Sequence, residues 1–494
     1  MHEPIPVSKL TPYRLTAIAA ALVALLALAL ASPLYGLIAV ATFGSVIIVP
    51  LAIRHPHLAV CALAFTTASN LTEALVVRFG VPSPSKAIVG FLIVVLVYDV
   101  VTHKRQLNID PRAVAVLCAY FVIAGVGVFW ARDADVTFDA TVAVANELII
   151  VVLVLAFVSN MREFQAVMVC LVAGLFLVSL LGWVNALFFS YDKAFGGLAQ
   201  FAELQIVEEN VSARFTGGYS DPNAMGRALA VGVALAFGQL ISTRGLIGKA
   251  LYVVVLTVLL AGIILTFSRG AMVGILAMLM VLAWYYRNKL HMALLALVPL
   301  GLAFFVLAPQ SYFDRVAKVF AAGASEETVV SGPDESDESI TNRFDEMQAA
   351  VAVFKDNMIG GVGRGNFMNL YDKYALDLNM RVRHEPRQSH SDILQVASEQ
   401  GLLGLIVFAA LWVVSLNNAI RACGAMVDNR RAAGLALGIL LALTGYFTAS
   451  LVLHESYPRL FWFIIALALS LPALSHREVV RDIAGRAGVG GSQR

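Results

Sequence analysis

Residues 248–286 read GKALYVVVLTVLLAGIILTFSRGAMVGILAMLMVLAWYY. Two apolar runs, each close to the length that crosses about 30 Å of hydrocarbon, meet at Ser268-Arg269-Gly270 with almost no loop between them. Lys249 and Arg269 are the only Lys, Arg, Asp or Glu in the stretch. Soluble helices of this length would each carry a polar stripe. The stretch therefore reads as two consecutive membrane spans, with an arginine at the turn between them.

Similar runs recur on both sides. Of 494 residues, 59% are hydrophobic and only 14% charged, too few for a soluble coat. Candidate spans lie near 15–31, 34–53, 58–78, 86–102, 112–130, 139–158 and 164–189, then near 222–241, 248–267, 270–286, 291–308, 402–420, 431–453 and 459–475. The 58–78 run carries Asn70 and Glu73 and is polar enough to be re-entrant. The expected fold is an all-α polytopic membrane protein with about 12–14 transmembrane helices and a long periplasmic loop containing short helices. Ala21 to Ala31 imitates a signal peptide, but Pro33 and another apolar run follow at once, so it reads as an uncleaved anchor.

Charge and cysteine usage exclude other classes. A net charge of +2 without a basic, aromatic-interleaved stretch gives no footprint for nucleic acid. Cys61, Cys118, Cys170 and Cys423 are far apart, with no spacing for a disulfide framework or a zinc site.

Lys and Arg counts thread the chain. With both termini cytoplasmic, the loops holding Arg54, His103-Lys104-Arg105, Arg162, Arg244, Arg287 and Arg430-Arg431 all fall inside. Two long connections, 190–221 and 309–389, then fall outside. The chain divides into an N-terminal bundle with its loop (1–221), a group of spans holding the Ser-Arg-Gly turn (222–308), the long loop (309–389), C-terminal helices (390–475) and a basic tail (476–494). Within the long loop, Ser325 to Ser339 is acidic, and Thr341 to Phe354 has Phe344, Met347, Val351 and Phe354 at helical spacing. Gly360 to Asn366 is glycine-rich but lacks the Lys-Ser/Thr ending of a nucleotide loop. Its backbone amides are expected either to approach a phosphate or sugar or simply to form a flexible loop.

The chemistry concentrates outside. Ser389 with Asp392 resembles a capping box, which puts His390 in the first turn of a helix, at the positive end of its dipole, where a neutral ring is favoured as a base. Arg381, Arg383 and Arg387 precede it on a face where cations should be few, so an anionic partner is expected. Arg269 lies at the outer surface. Arg214 runs into Asp221-Pro222-Asn223, where Asp221 caps an outward helix start that offers a further anion site. Glu399 sits about 13 Å along the helix from His390 and half a turn round, so it reads as a buried support, with Glu73 and Glu147 as weaker cases. Plain loop chemistry, headgroup contact and snorkelling are the competing readings of these residues. What weighs against them is the convergence of several outside elements, each bringing Arg or an oriented backbone dipole.

Thr266 to Ala271, Gly218 to Asn223, Gly360 to Phe367, and His390-Ser391 followed by Leu394, Glu399 and Gly401 together resemble the O-antigen ligase superfamily, which includes O-antigen polymerases. The resemblance covers roughly residues 205–475; the first half matches only in hydropathy. It implies an inverting transferase of the bacterial inner membrane that moves polysaccharide from undecaprenyl diphosphate to lipid A-core on the periplasmic face. Its partners would be that donor, that acceptor and membrane lipids, without metal or other cofactor. His390 would correspond to the essential histidine, and Arg214 and Arg269 to arginines on the diphosphate; Arg383, Arg387 and Asn223 join them as candidate binding residues, with Asp221, Ser389, Asp392 and Glu399 as support. Gln388-Ser389 before the histidine does not separate the subfamilies. A polymerase of the same family and, from another class, a polysaccharide transporter remain alternatives. Transporters usually show internal repeats and paired charges near the midplane, whereas here the ionisable groups crowd at the outer surface and no clear repeat is found.

Overall fold

The computed structural model describes residues 49–103, 109–202, 213–219, 221–287, 335–380, 387–453 and 458–490. The chain forms two compact units, Met1–Ala59 and Val60–Arg494. The signal anchor and the 15–31 and 291–308 spans lie outside the described residues, as does the acidic segment up to 334.

The fold is that of an all-α polytopic membrane protein, with nine helices among the described residues long and apolar enough to cross a bilayer. They are α3 (Pro84–Val101), α4 (Pro111–Val126, continued by one 3-10 turn), α5 (Ala134–Phe157), α6 (Met161–Phe188), α7 (Pro222–Ser242), α8 (Leu246–Thr266), α12 (Asp392–Ala425), α13 (Arg430–Ser450) and α14 (Pro458–Gly490). A shorter apolar helix, α9 (Arg269–Tyr285), follows α8 directly. The 58–78 run, polar enough to be re-entrant, is broken into α1 (His57–Ala68) and α2 (Leu71–Phe79), bent by 68° across Asn70, a geometry shared by broken spans and re-entrant loops. Asn70 has φ 51° and donates from Nδ2 to Gly218 O at 2.6 Å. Glu73, expected as a buried anchor, is exposed. Glu147 is buried, 3.6 Å from Arg459 Nε.

Without water to drive helices together, close packing of small residues must do so. On α7, a Cβ at Gly238 would lie 2.7 Å from Gly434 O and 2.8 Å from Gly438 Cα of α13. One at Gly274 of α9 would lie 2.8 Å from Gly445 O. These glycines let the α7, α9 and α13 backbones touch.

Side-chain bonds sort the connections to two ends. At one, Arg431 Nε donates to Gln165 Oε1 (2.8 Å), Arg430 Nε to Ile241 O (3.0 Å) and Arg477 Nη1 to Ser159 O (2.7 Å). At the other lie the turn between α8 and α9, the start of α12, the end of α13 and a hairpin of β1 (Gln200–Ala202) with β2 (Arg214–Gly217). This hairpin is a small β element that hydropathy does not reveal.

Over the second end lie α10 (Glu335–Asp356) and α11 (Phe367–Asp377), packed on each other through Ala349, Ala350, Val353, Phe367, Leu370 and Tyr371. The glycine-rich stretch between them is neither a free amide nest nor a flexible loop. Its N–H groups are taken: Gly361 donates to Asn357 O (2.9 Å), Val362 to Ser398 O (3.1 Å) and Gly363 to Glu399 O (2.9 Å). Gly361 (φ +67°) and Gly401 (φ +65°) permit the contact, since a Cβ at Gly361 would collide with the Glu399–Gln400 backbone and one at Gly401 with Ile359. On its other side the stretch is sewn to the turn between α4 and α5. Trp130 Nε1 donates to Gly360 O (3.1 Å), Asn366 Nδ2 to Thr137 Oγ1 (2.7 Å) and Arg364 Nη1 to Tyr120 OH (2.7 Å).

Candidate active site

Four contributions meet at this end, each brought there by local chemistry. Asp221 Oδ1 accepts from Asn223 N (2.9 Å) and caps α7, which Pro222 opens. The missing proline N–H would have been unpaired there in any case. Asn223 Oδ1 accepts from Arg214 Nη2 (3.1 Å), and Arg214 Nε reaches Thr266 O (3.0 Å) in the last turn of α8. Arg214 thus closes an orphan helix carbonyl and joins the hairpin to two helix ends.

After Thr266 the chain reverses through Phe267 (φ 51°), and Ser268 Oγ caps α9 by accepting from Ala271 N (3.3 Å). Arg269 is the first residue of α9 and is exposed. Gly226 makes the crossing possible, since a Cβ there would lie 2.7 Å from Ser268 Cβ.

The third contribution comes from α10. Arg343 is half-buried, and burial together with the like charge of Arg269 holds its guanidinium below the ordinary arginine range, while Asp221 and Glu346 act in the opposite direction. One turn on, Glu346 is 1% exposed. Its Oε2 lies 3.0 Å from His390 Nε2 and its Oε1 3.6 Å from Arg387 Nη1. A carboxylate this deep needs such partners.

The fourth is the start of α12, which differs from expectation. The helix begins at Asp392, and its cap is Ser391, whose Oγ accepts from Leu394 N (3.5 Å). Ser389 is not the cap; its Oγ donates to Ser391 O (2.8 Å). His390 therefore precedes the helix instead of occupying its first turn, with φ +49°. The competing local bonds of Ser389 tighten the turn and move the boundary by two residues. Asp392 pairs with Arg227 Nη1 of α7 at 3.1 Å. Leu453, just past α13, accepts from Asp392 N (3.2 Å) and lies against Gly270.

Glu399 is buried on α12 and accepts from Gln395 Nε2 (3.1 Å) and Phe367 N (3.5 Å), so its contacts are to the glycine-rich stretch and α11. Arg383 and Arg381 lie outside the described residues.

Glu346 faces both His390 and Arg387, Arg343 lies within electrostatic reach of Glu346, Asp221 and Arg269, and Arg214 bonds to Asn223 and to the end of α8. Guanidinium forks match phosphate oxygens, and the starts of α7, α9 and α12 add partial positive charge at the same end. Among the described residues no group of three His, Cys, Asp or Glu side chains could hold a metal ion. Three members escaped sequence reasoning: Arg343, Glu346 and Arg227. Arg343 and Glu346 share a face of the amphipathic helix at i, i+3, and a charge inside the apolar 222–241 run was the available sign for Arg227.

Residues 252–409 match the family model described as O-Antigen ligase. The match takes in the turn before α9, α10 and α11, and the His390 turn, and it supports an O-antigen ligase or polymerase function for this membrane protein. No curated protein matches the chain.

Proposed function

We propose that this chain is an inverting glycosyltransferase that joins O-antigen polysaccharide from undecaprenyl diphosphate to lipid A-core at the periplasmic face of the inner membrane, with both termini cytoplasmic. The observation that carries the reading is His390 Nε2 at 3.0 Å from Glu346 Oε2, a carboxylate that also faces Arg387 at 3.6 Å and acts on Arg343. A base beside an anion site is what transfer from a sugar diphosphate requires.

Arg269, Arg343 and Arg387, with Arg214 and Asn223 behind them and Arg383 from the preceding segment, bind the donor's diphosphate. The acceptor hydroxyl oxygen attacks the anomeric carbon from the face opposite the diphosphate. The new glycosidic C–O bond forms as the old C–O bond breaks, and undecaprenyl diphosphate leaves with the electron pair. Its growing negative charge is met by the guanidinium groups. The hydroxyl proton passes to His390, whose ring Glu346 orients and whose developing positive charge it offsets. Arginine thus supplies the charge stabilisation that a divalent ion gives in other diphosphate chemistry, and no metal is expected.

Purified protein given lipid-linked polysaccharide and lipid A-core tests the reading. Polysaccharide joined to core is the expected product. Longer lipid-linked chains with no core attachment would make the chain a polymerase instead, and lipid-linked sugar moved across vesicles without a new glycosidic bond would make it a transporter.

A further inference from the structure

Arg227 lies inside α7 and is 1% exposed. Its Nη1 is 3.1 Å from Asp392 Oδ2 and 3.0 Å from Ser450 Oγ, and its Cζ is 4.5 Å from the centre of the Tyr446 ring. The start of α12 and the end of α13 thereby meet on one guanidinium rooted in α7. Two residues before Asp392 stands His390 in a left-handed backbone conformation. A non-glycine residue keeps that conformation only where its surroundings over-determine it.

Stability alone does not account for the pair. Removing both charges from water is repaid only marginally by their attraction, and well-packed apolar side chains of similar volume generally do as well or better. What the ion pair adds is direction. It fixes the first residue of α12 against α7, the helix whose capped start holds Asn223 and, through it, Arg214.

We propose that Arg227 is a positioning residue for the transfer: acting through Asp392, it holds the His390 turn in register with the Arg214–Asn223 cluster at the head of α7. Arg227 does not touch the substrate. The inference rests on the transferase reading above, and its signature is a loss of turnover without a loss of binding.

The test uses the full chain in nanodiscs, as wild type, Arg227→Met, Asp392→Leu, the double variant and Arg227→Lys. Each apolar single variant strands a buried charge and should unfold at lower temperature, whereas the double variant should melt at or above wild type. In the ligation assay the double variant should keep KM for donor and acceptor within about twofold and lose about a hundredfold in kcat, the scale that a displacement of roughly 1 Å produces. Arg227→Lys, which keeps the charge but not the fork, should recover part of that loss.

Wild-type kcat in the double variant would overturn the proposal, as would a rise in KM that accounts for the whole loss. Should the double variant not fold, Arg227→Lys decides alone: reduced kcat at unchanged KM supports the proposal, and wild-type kcat overturns it. Wild-type protein that forms no transfer product would sink the transferase reading itself, and this inference with it.

Discussion

His390 Nε2 lies 3.0 Å from Glu346 Oε2, a carboxylate 1% exposed, and the same carboxylate faces Arg387. Replacing the ring and replacing its partner should therefore have graded effects. His390→Ala should lower kcat by about 10²–10⁴, the range for loss of a general base, while Glu346→Gln should cost about tenfold because shape survives and charge does not. Kinetics of purified, correctly inserted variants check this, and a fully active His390→Ala protein would end the role assigned to His390.

Burial, and after it the like charge of Arg269, acts against the charged form of Arg343. Arg343 is a base whose folded-state guanidinium is held below its ordinary range, so at neutral pH, where it is charged in both folded and unfolded chains, its charge costs stability. Arg343→Gln should then melt no lower than wild type in the absence of ligand. Added undecaprenyl diphosphate should stabilise wild type strongly and Arg343→Gln weakly, which thermal unfolding with and without that lipid measures.

Arg269→Ala removes one charge-assisted contact to the diphosphate. Such bonds contribute about 1.5–3 kcal/mol, so donor affinity should fall roughly ten- to a hundredfold. Lipid-binding titration in nanodiscs is the measurement, and unchanged affinity would remove Arg269 from the donor site.

Gly361→Ala should be severe although it lies outside the arginine cluster. Its φ of +67° and the collision of a Cβ with the Glu399–Gln400 backbone leave no room for a methyl group. A loss of about 1–3 kcal/mol from backbone strain alone is expected, read as lower thermal stability and reduced recovery of inserted protein.

Activity should survive chelation, because arginine takes the part of a metal in the proposed transfer. Assays in EDTA test this. Activity that vanishes in chelator and returns only with a divalent cation would contradict it.

Hydropathy made the spans legible, since burial in lipid forces an apolar run of about twenty residues wherever a helix crosses. The predicted 222–241 and 431–453 spans are α7 and α13 with ends displaced by only a few residues. Local capping was legible too at Asp221, where the Asx side chain and the following proline act within one turn. What escaped depends on contacts distant in sequence: Arg227 and Asp392 are 165 positions apart, and they meet only where the first residue of α12 reaches α7. Glu346 and Arg343 were hidden for another reason. The reading of their helix followed Phe344, Met347, Val351 and Phe354, whereas Phe344 is exposed and Glu346 lies on the buried face with Ala349, Ala350 and Val353. The His390 turn was misplaced because Ser389 and Ser391 both can cap, and their mutual bonding decides between them.

The stitching of Gly360, Arg364 and Asn366 to Trp130, Tyr120 and Thr137 has a bearing on portability. The stretch that matches a known family ends well short of those partners, and short of Arg214 and Arg227 as well. The reactive half is therefore no cassette. Grafted behind a foreign amino-terminal bundle of equal hydropathy, it would insert into the bilayer yet lack the seam that sets the height of its glycine arch. Chimeras that carry residues 120–137 along should regain whatever the graft has lost, whereas those that exchange only lipid-facing residues should be indifferent to the donor.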